Sequence, residues 1–179
     1  RTSEVIKREL KKSGVEFVEG LAGGTGVLGH TAGQASGAVG LRADMDALPI
    51  TEENNVDWRS IHDGCMHACG HDGHTTILLG AARVLSTIAV DQELPHPVTV
   101  VFQPAEEGGA GGKRMVEDGS LDGSCIGPSV SVMYGLHGWQ QAPCSSLQTR
   151  VGPVLASDIG VQITISGTGG HAAFPHFSC

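Results

Sequence analysis

Val98-Thr99-Val100-Val101-Phe102-Gln103-Pro104-Ala105-Glu106-Glu107 sets five apolar or β-branched residues in a row before a proline and two adjacent carboxylates. An unbroken apolar run, rather than an alternating one, predicts a short strand covered on both faces, and Pro104 ends it. Neighbouring side chains of an extended segment point opposite ways. One glutamate of the pair can therefore bind a metal while the other faces a water or a substrate. In an open α/β sheet ligands gather at the carboxyl ends of strands, which is where this pair stands.

Two other stretches carry matching chemistry. Met66-His67-Ala68-Cys69-Gly70-His71-Asp72-Gly73-His74 packs three histidines and a cysteine into a glycine-punctuated loop. The Cys69 thiolate and the His71 imidazole suit zinc and its first-row neighbours, and Gly70 lets the backbone bend so that both face one point. The rival reading is a chance cluster of packing and surface residues. The loop runs into Thr75 to Leu85, apolar on most sides and predicted to be a buried helix. Asp72 or Thr75 is a candidate cap, and the positive end of the helix dipole would favour a thiolate nearby. The second stretch, Ser131-Val-Met-Tyr-Gly-Leu-His137, is another apolar strand ending in a histidine. Three strand or loop ends thus offer Cys69 and His71, Glu106 and Glu107, and His137 to one site.

Five motifs in one order carry a resemblance: Leu41-Arg-Ala-Asp-Met-Asp-Ala-Leu-Pro-Ile50, the loop 66–74, Phe102-Gln-Pro-Ala-Glu-Glu107, Gly135-Leu-His137, and Gly167-Thr-Gly-Gly-His-Ala-Ala-Phe-Pro-His176. In them the chain resembles the metal-dependent amidohydrolase and carboxypeptidase family of hippurate hydrolase, N-acyl-L-amino acid amidohydrolases and the plant indoleacetyl-amino acid hydrolases. The resemblance implies a three-layer α/β/α catalytic domain with a mixed sheet over residues 1–155. It also implies the start of an inserted α+β lid and dimerisation domain over 156–179, both incomplete in this chain. It implies two divalent metal ions, zinc or manganese with cobalt or nickel as alternatives, bound by Cys69, His71, Glu107 and His137, with Cys69 a candidate bridge. Glu106 would be the general base, His171 of the lid an oxyanion donor, and Asp46 a supporting carboxylate that orients an imidazole. Where the wider family of two-metal peptidases places a ligand histidine, this chain has Asp44. The implied activity is hydrolysis of N-acyl amino acids or small peptides by a homodimer that pairs through its lid. The rival is a truncated, inactive fragment that at most binds metal.

Composition limits the alternatives. The chain has 179 residues, 40% hydrophobic and 17% charged, and its formal charge of -8 argues against nucleic-acid or anionic-membrane partners. Its five cysteines have no repeating frame, which points to a reducing, cytoplasmic setting rather than a disulfide scaffold. No run of 18 apolar residues predicts a membrane span. A structural zinc site, a zinc deaminase and a zincin each need ligand spacings that are absent here. Gly108 to Gly112 lacks the ending of a phosphate-binding loop and predicts a turn into a helix over Lys113 to Asp118. Elsewhere, Thr2 to Lys12 predicts an amphipathic helix stopped at Gly14, with short strands at Val15–Val18, Gly26–Leu28 and Ala38–Ala43. Ile159, Val161, Ile163 and Ile165 alternate with polar or small residues, predicting a half-exposed strand. His30, His62 and His96 read as surface loop residues, whereas His67 and His74 flank the site as candidate supports.

Overall fold

The computed structural model describes residues 1–157 and 159–177. Two compact units divide it, Arg1–Trp139 and Gln140–Cys179. In the first, α1 (Thr2–Lys12), β1 (Glu16–Gly20), a kinked helical turn α2 (Leu21–Gly24), β2 (Gly26–Thr31), β3 (Ala38–Asp44), α3 (His71–Asp91), β4 (Val98–Gln103), α4 (Gly111–Glu117) and β5 (Val130–Gly135) follow in order. The five strands form one sheet, ordered β1-β2-β4-β3-β5. β1 and β2 run antiparallel to their neighbours, while β3, β4 and β5 are mutually parallel through two crossovers carrying α3 and α4.

The apolar run of β4 is explained by burial on both faces. Val98, Val100 and Phe102 join Ile6 and Leu10 of α1 and Leu78 and Ala82 of α3 in one core cluster. Val101 points the other way, with Leu28, Met115 of α4 and Ala22. This is an α/β/α sandwich around a mixed sheet. Ile6, Leu10 and Phe102 are fully buried, each contributing about 1.5–3 kcal/mol in transfer free energy. α1 closes as its sequence predicts: Gly14 takes a left-handed φ of 67°, Gly14 N–H donates to the Lys11 carbonyl and Val15 N–H to that of Leu10, the paired bonds that end a helix on glycine.

α3 departs from expectation in length, starting at His71 and not Thr75, with Gly70 (φ 83°) as its N-cap. Neither Asp72 nor Thr75 caps it; Asp72 lies in the first turn, and the Thr75 hydroxyl donates to the Asp44 carbonyl at 3.0 Å. By length and composition α3 could cross a membrane. It buries His71, His74, Thr75, Leu78 and Ala82 against the rest of the unit, and its other residues are half-buried or exposed.

β5 forms an edge of the sheet, and Val132, Met133 and Tyr134 on it are exposed. In the second unit the described residues include a 3-10 turn at Pro175–Phe177 and no strand. The strand expected over 159–165 is therefore a correction: Ile159, Val161, Ile163 and Ile165 are exposed and make no ladder. Alternation supplies an apolar face, but a strand also needs a neighbour for its N–H and C=O groups, and among the described residues of that unit there is none.

Candidate metal centre

The carboxyl ends of the parallel strands converge in the first unit. β3 ends at Asp44 and leads to Asp46; β4 ends at Gln103 and leads to Glu106 and Glu107; β5 ends at Gly135, two residues before His137. The long connection from β3 to α3 is clasped by paired hydrogen bonds between Leu48 and Met66, N–H to carbonyl at 2.9 and 3.0 Å. That clasp delivers Cys69 and the first turn of α3 to the end of β3. The glutamate turn folds tightly over the start of α4: Gly111 N–H donates to the Ala105 carbonyl at 3.0 Å, and a Cβ on Gly111 would collide with the Pro104 carbonyl oxygen. Gly111→Ala is therefore expected to lower stability by about 1–3 kcal/mol, the usual cost of overpacking. A urea unfolding midpoint indistinguishable from that of the parent would contradict this reading of the turn.

Cys69, His71 and Glu107 each bring a ligand atom within 4.8 Å of the others. His71 Nε2 lies 3.9 Å from a Glu107 oxygen, and His137 Nε2 lies 3.5 Å from Cys69 Sγ. Cys69, His71 and Glu107 thus form one group, which His137 joins through Cys69, and His137 also lies in a second group with Asp44, His71 and His74. Both imidazoles are set the same way. His71 Nδ1 faces the Asp46 backbone carbonyl at 2.9 Å, and His137 Nδ1 faces the Gly138 carbonyl at 2.8 Å. A carbonyl only accepts, so each Nδ1 carries the proton and each Nε2 keeps its lone pair. His71 Nε2 is buried with no hydrogen-bond partner. A buried ring nitrogen left bare is costly unless something binds it, and a divalent metal fits. The donor set of one thiolate, two imidazoles and a carboxylate suits zinc and its neighbours.

The supporting residues depart from the sequence reading in detail. Asp46 holds His71 through its backbone carbonyl, while its carboxylate accepts the Glu107 backbone N–H at 3.1 Å and stands 3.5 Å from His71 Nδ1. Asp44 is fully buried. One of its oxygens accepts from His74 Nδ1 at 2.7 Å and the other from Arg42 Nη1 at 2.7 Å. Burial pushes its carboxyl up, the His74 hydrogen bond and the Arg42 guanidinium beside it pull it down, and the net direction is below the usual range. A buried aspartate salt-bridged at a strand end could have been suspected from Arg42-Ala43-Asp44; that it also engages α3 could not.

Burial raises the Cys69 thiol pKa, and Glu107, Glu106 and Asp44 raise it further. A bound cation reverses that balance, since metal coordination deprotonates a thiol outright. Glu106 is exposed. His67 keeps a buried, unpartnered Nδ1 and belongs to neither ligand group found among the described residues. His171 lies in the second unit, exposed, its Nδ1 accepting the Ala173 N–H at 3.1 Å. His30 is a correction: it sits within β2, and its Nδ1 is buried. Cys65, Cys69, Cys125 and Cys144 are free thiols, and Cys179 lies outside the described residues.

A mixed α/β sheet with thiolate, imidazole and carboxylate donors gathered at its parallel strand ends defines an α/β protein with a candidate transition-metal centre. The pattern of peptidase family M20/M25/M40 matches residues 40–175, and the chain belongs to that family. It is similar to IAA-amino acid hydrolase ILR1-like 5 of Arabidopsis thaliana, 46% identical over 99% of this chain and 39% of that protein. It is also similar to N-acetyl-L-cysteine deacetylase of Bacillus subtilis, 41% identical over 98% of this chain and 40% of that protein. Among solved structures, the YXEP protein of Bacillus subtilis, described as a dinuclear metal binding peptidase from the M20 family, matches with a TM-score of 0.69 and 38% identity. The match covers 79% of this chain and 38% of that one. The chain spans about two fifths of the length of the curated relatives it matches.

Proposed function

We propose that the protein carrying this chain hydrolyses the amide bond of N-acyl amino acids at a centre of two divalent metals, zinc or manganese, to which Cys69, His71, Glu107 and His137 contribute ligands. The observation that carries the reading is the bare, buried Nε2 of His71 facing a carboxylate and grouped with a thiol. The similar proteins are named an IAA-amino acid hydrolase and an N-acetyl-L-cysteine deacetylase, which supports that substrate class. A reducing, cytoplasmic compartment suits a thiolate ligand.

Divalent metal at this site supplies the Lewis acidity that makes water a nucleophile at neutral pH and polarises the scissile carbonyl. The chain's own residues do the rest. Glu106, exposed beside the ligand Glu107, takes the proton from the attacking water on a side-chain oxygen and passes it to the departing amine nitrogen. Asp46 fixes two ligands at once, His71 through its carbonyl and Glu107 through its carboxylate. His171 belongs to a lid that donates to the developing oxyanion and pairs two copies of the protein.

The test is amine release from N-acetyl and indoleacetyl amino acids, before and after chelation. Hydrolysis that stops on chelation and returns with zinc or manganese is expected. Hydrolysis indifferent to chelation, or none with metal restored, would remove this reading.

A further inference from the structure

His74 has both ring nitrogens engaged, and each engagement fixes the same tautomer. Its Nδ1 lies 2.7 Å from an Asp44 oxygen, and a carboxylate held by Arg42 on its other side can only accept, so Nδ1 carries the proton. Its Nε2 lies 2.8 Å from the Gly138 backbone nitrogen, which can only donate, so Nε2 is bare and its lone pair is used. Asp44, His71, His74 and His137 lie close enough to hold an ion. His74, however, has no lone pair left to give, while each Asp44 oxygen accepts one hydrogen bond. His74 therefore stands beside the metal centre without being a ligand.

Its partner is the informative part. Gly138 follows His137, which is exposed and lies beyond the end of the edge strand β5. A ligand so placed needs something to hold it. The His74 ring lies 4.6 Å from the His137 ring, centroid to centroid, and its Nε2 captures the next backbone N–H. The anchorage runs inward without a gap: Gln103 at the end of β4 accepts from Arg42 Nε at 2.9 Å, Arg42 holds Asp44, Asp44 holds His74, and His74 holds Gly138.

We propose that His74 is a positioning residue: by accepting the Gly138 N–H it holds His137 at the Cys69, His71 and Glu107 cluster. This rests on the metal-centre reading above. Supporting partners of metal ligands commonly matter at this level, their loss costing about 10–100-fold in affinity.

Two substitutions separate this role from simple packing. In His74→Gln the side-chain oxygen takes the place of Nε2 and can still accept the Gly138 N–H. In His74→Asn the amide takes the place of Nδ1, keeping Asp44 and losing Gly138. Two readouts are used, hydrogen exchange of the Gly138 amide without metal and titration with cobalt(II). H74Q is expected to keep the amide protected and to bind cobalt within a few-fold of the parent. H74N is expected to expose the amide and weaken cobalt binding by about 10–100-fold. His137→Ala should lose at least as much, and adding His74→Asn to it should deepen the loss no further, because both act on one contribution. An H74N variant with parental Gly138 exchange, or losses that multiply in the double variant, would overturn the proposal. Failure of the parent to take up cobalt would instead remove the metal-centre reading, and Gly138 exchange alone would then decide the role of His74.

Discussion

Replacing Glu106 by glutamine is expected to leave metal content unchanged and lower turnover of N-acyl amino acids by about 10²–10⁴-fold, the usual worth of a general base. The two side chains have nearly the same shape. Glu106 is exposed and takes no part in the bonds that set the ligands, which run from His71 to the Asp46 carbonyl, from His137 to the Gly138 carbonyl and from Glu107 N–H to the Asp46 carboxylate. Glutamine therefore leaves the centre assembled but cannot accept a proton from water. Elemental analysis and steady-state kinetics on the same preparation separate the two effects. Parental hydrolysis in the variant would take the base away from Glu106, whereas loss of metal together with activity would make Glu106 a ligand instead.

The second large effect is expected at His71, and it has opposite signs with and without metal. His71→Asn places an amide where Nδ1 stood, keeping the bond to the Asp46 carbonyl, and removes the bare Nε2. Metal affinity should fall by more than the ~10–100-fold that attends loss of a supporting partner. Metal-free protein should be as stable as the parent or more so, because a buried nitrogen without a partner is itself a cost of about 1–3 kcal/mol, set against the small cavity left behind. Thermal unfolding of both proteins, with and without zinc, reads both signs. A variant that zinc stabilises as strongly as the parent would show that His71 is no ligand.

Much of this centre could be read from the sequence because its residues stand where chain direction changes. The run Val98 to Phe102 reads as a strand covered on both faces, and its proline marks where Glu106 and Glu107 emerge. The spacing of Cys69 and His71 around Gly70 marks two further candidate donors. What stayed hidden depends on neighbours distant in the chain. α3 begins inside the histidine motif because Gly70 adopts a left-handed turn and Thr75 bonds back to Asp44, facts that no local propensity contains. Asp46 meets His71 Nδ1 with its backbone carbonyl at 2.9 Å as well as with its carboxylate at 3.5 Å. His74 reads from the sequence as one of two flanking histidines, whereas Asp44 and Gly138, 30 and 64 positions away, lie on its two nitrogens. The alternation from Ile159 to Ile165 gave a true apolar pattern but could not supply the neighbouring strand that would turn it into a ladder.

The most direct test is the metal content of the purified chain by elemental mass spectrometry, beside the same chain with Cys69→Ala. A cluster assembled from Cys69, His71, Glu107 and His137 predicts close to two divalent ions per chain in the parent and fewer in the variant. Little metal in either protein, or equal amounts in both, would contradict the assignment of these residues to a metal centre.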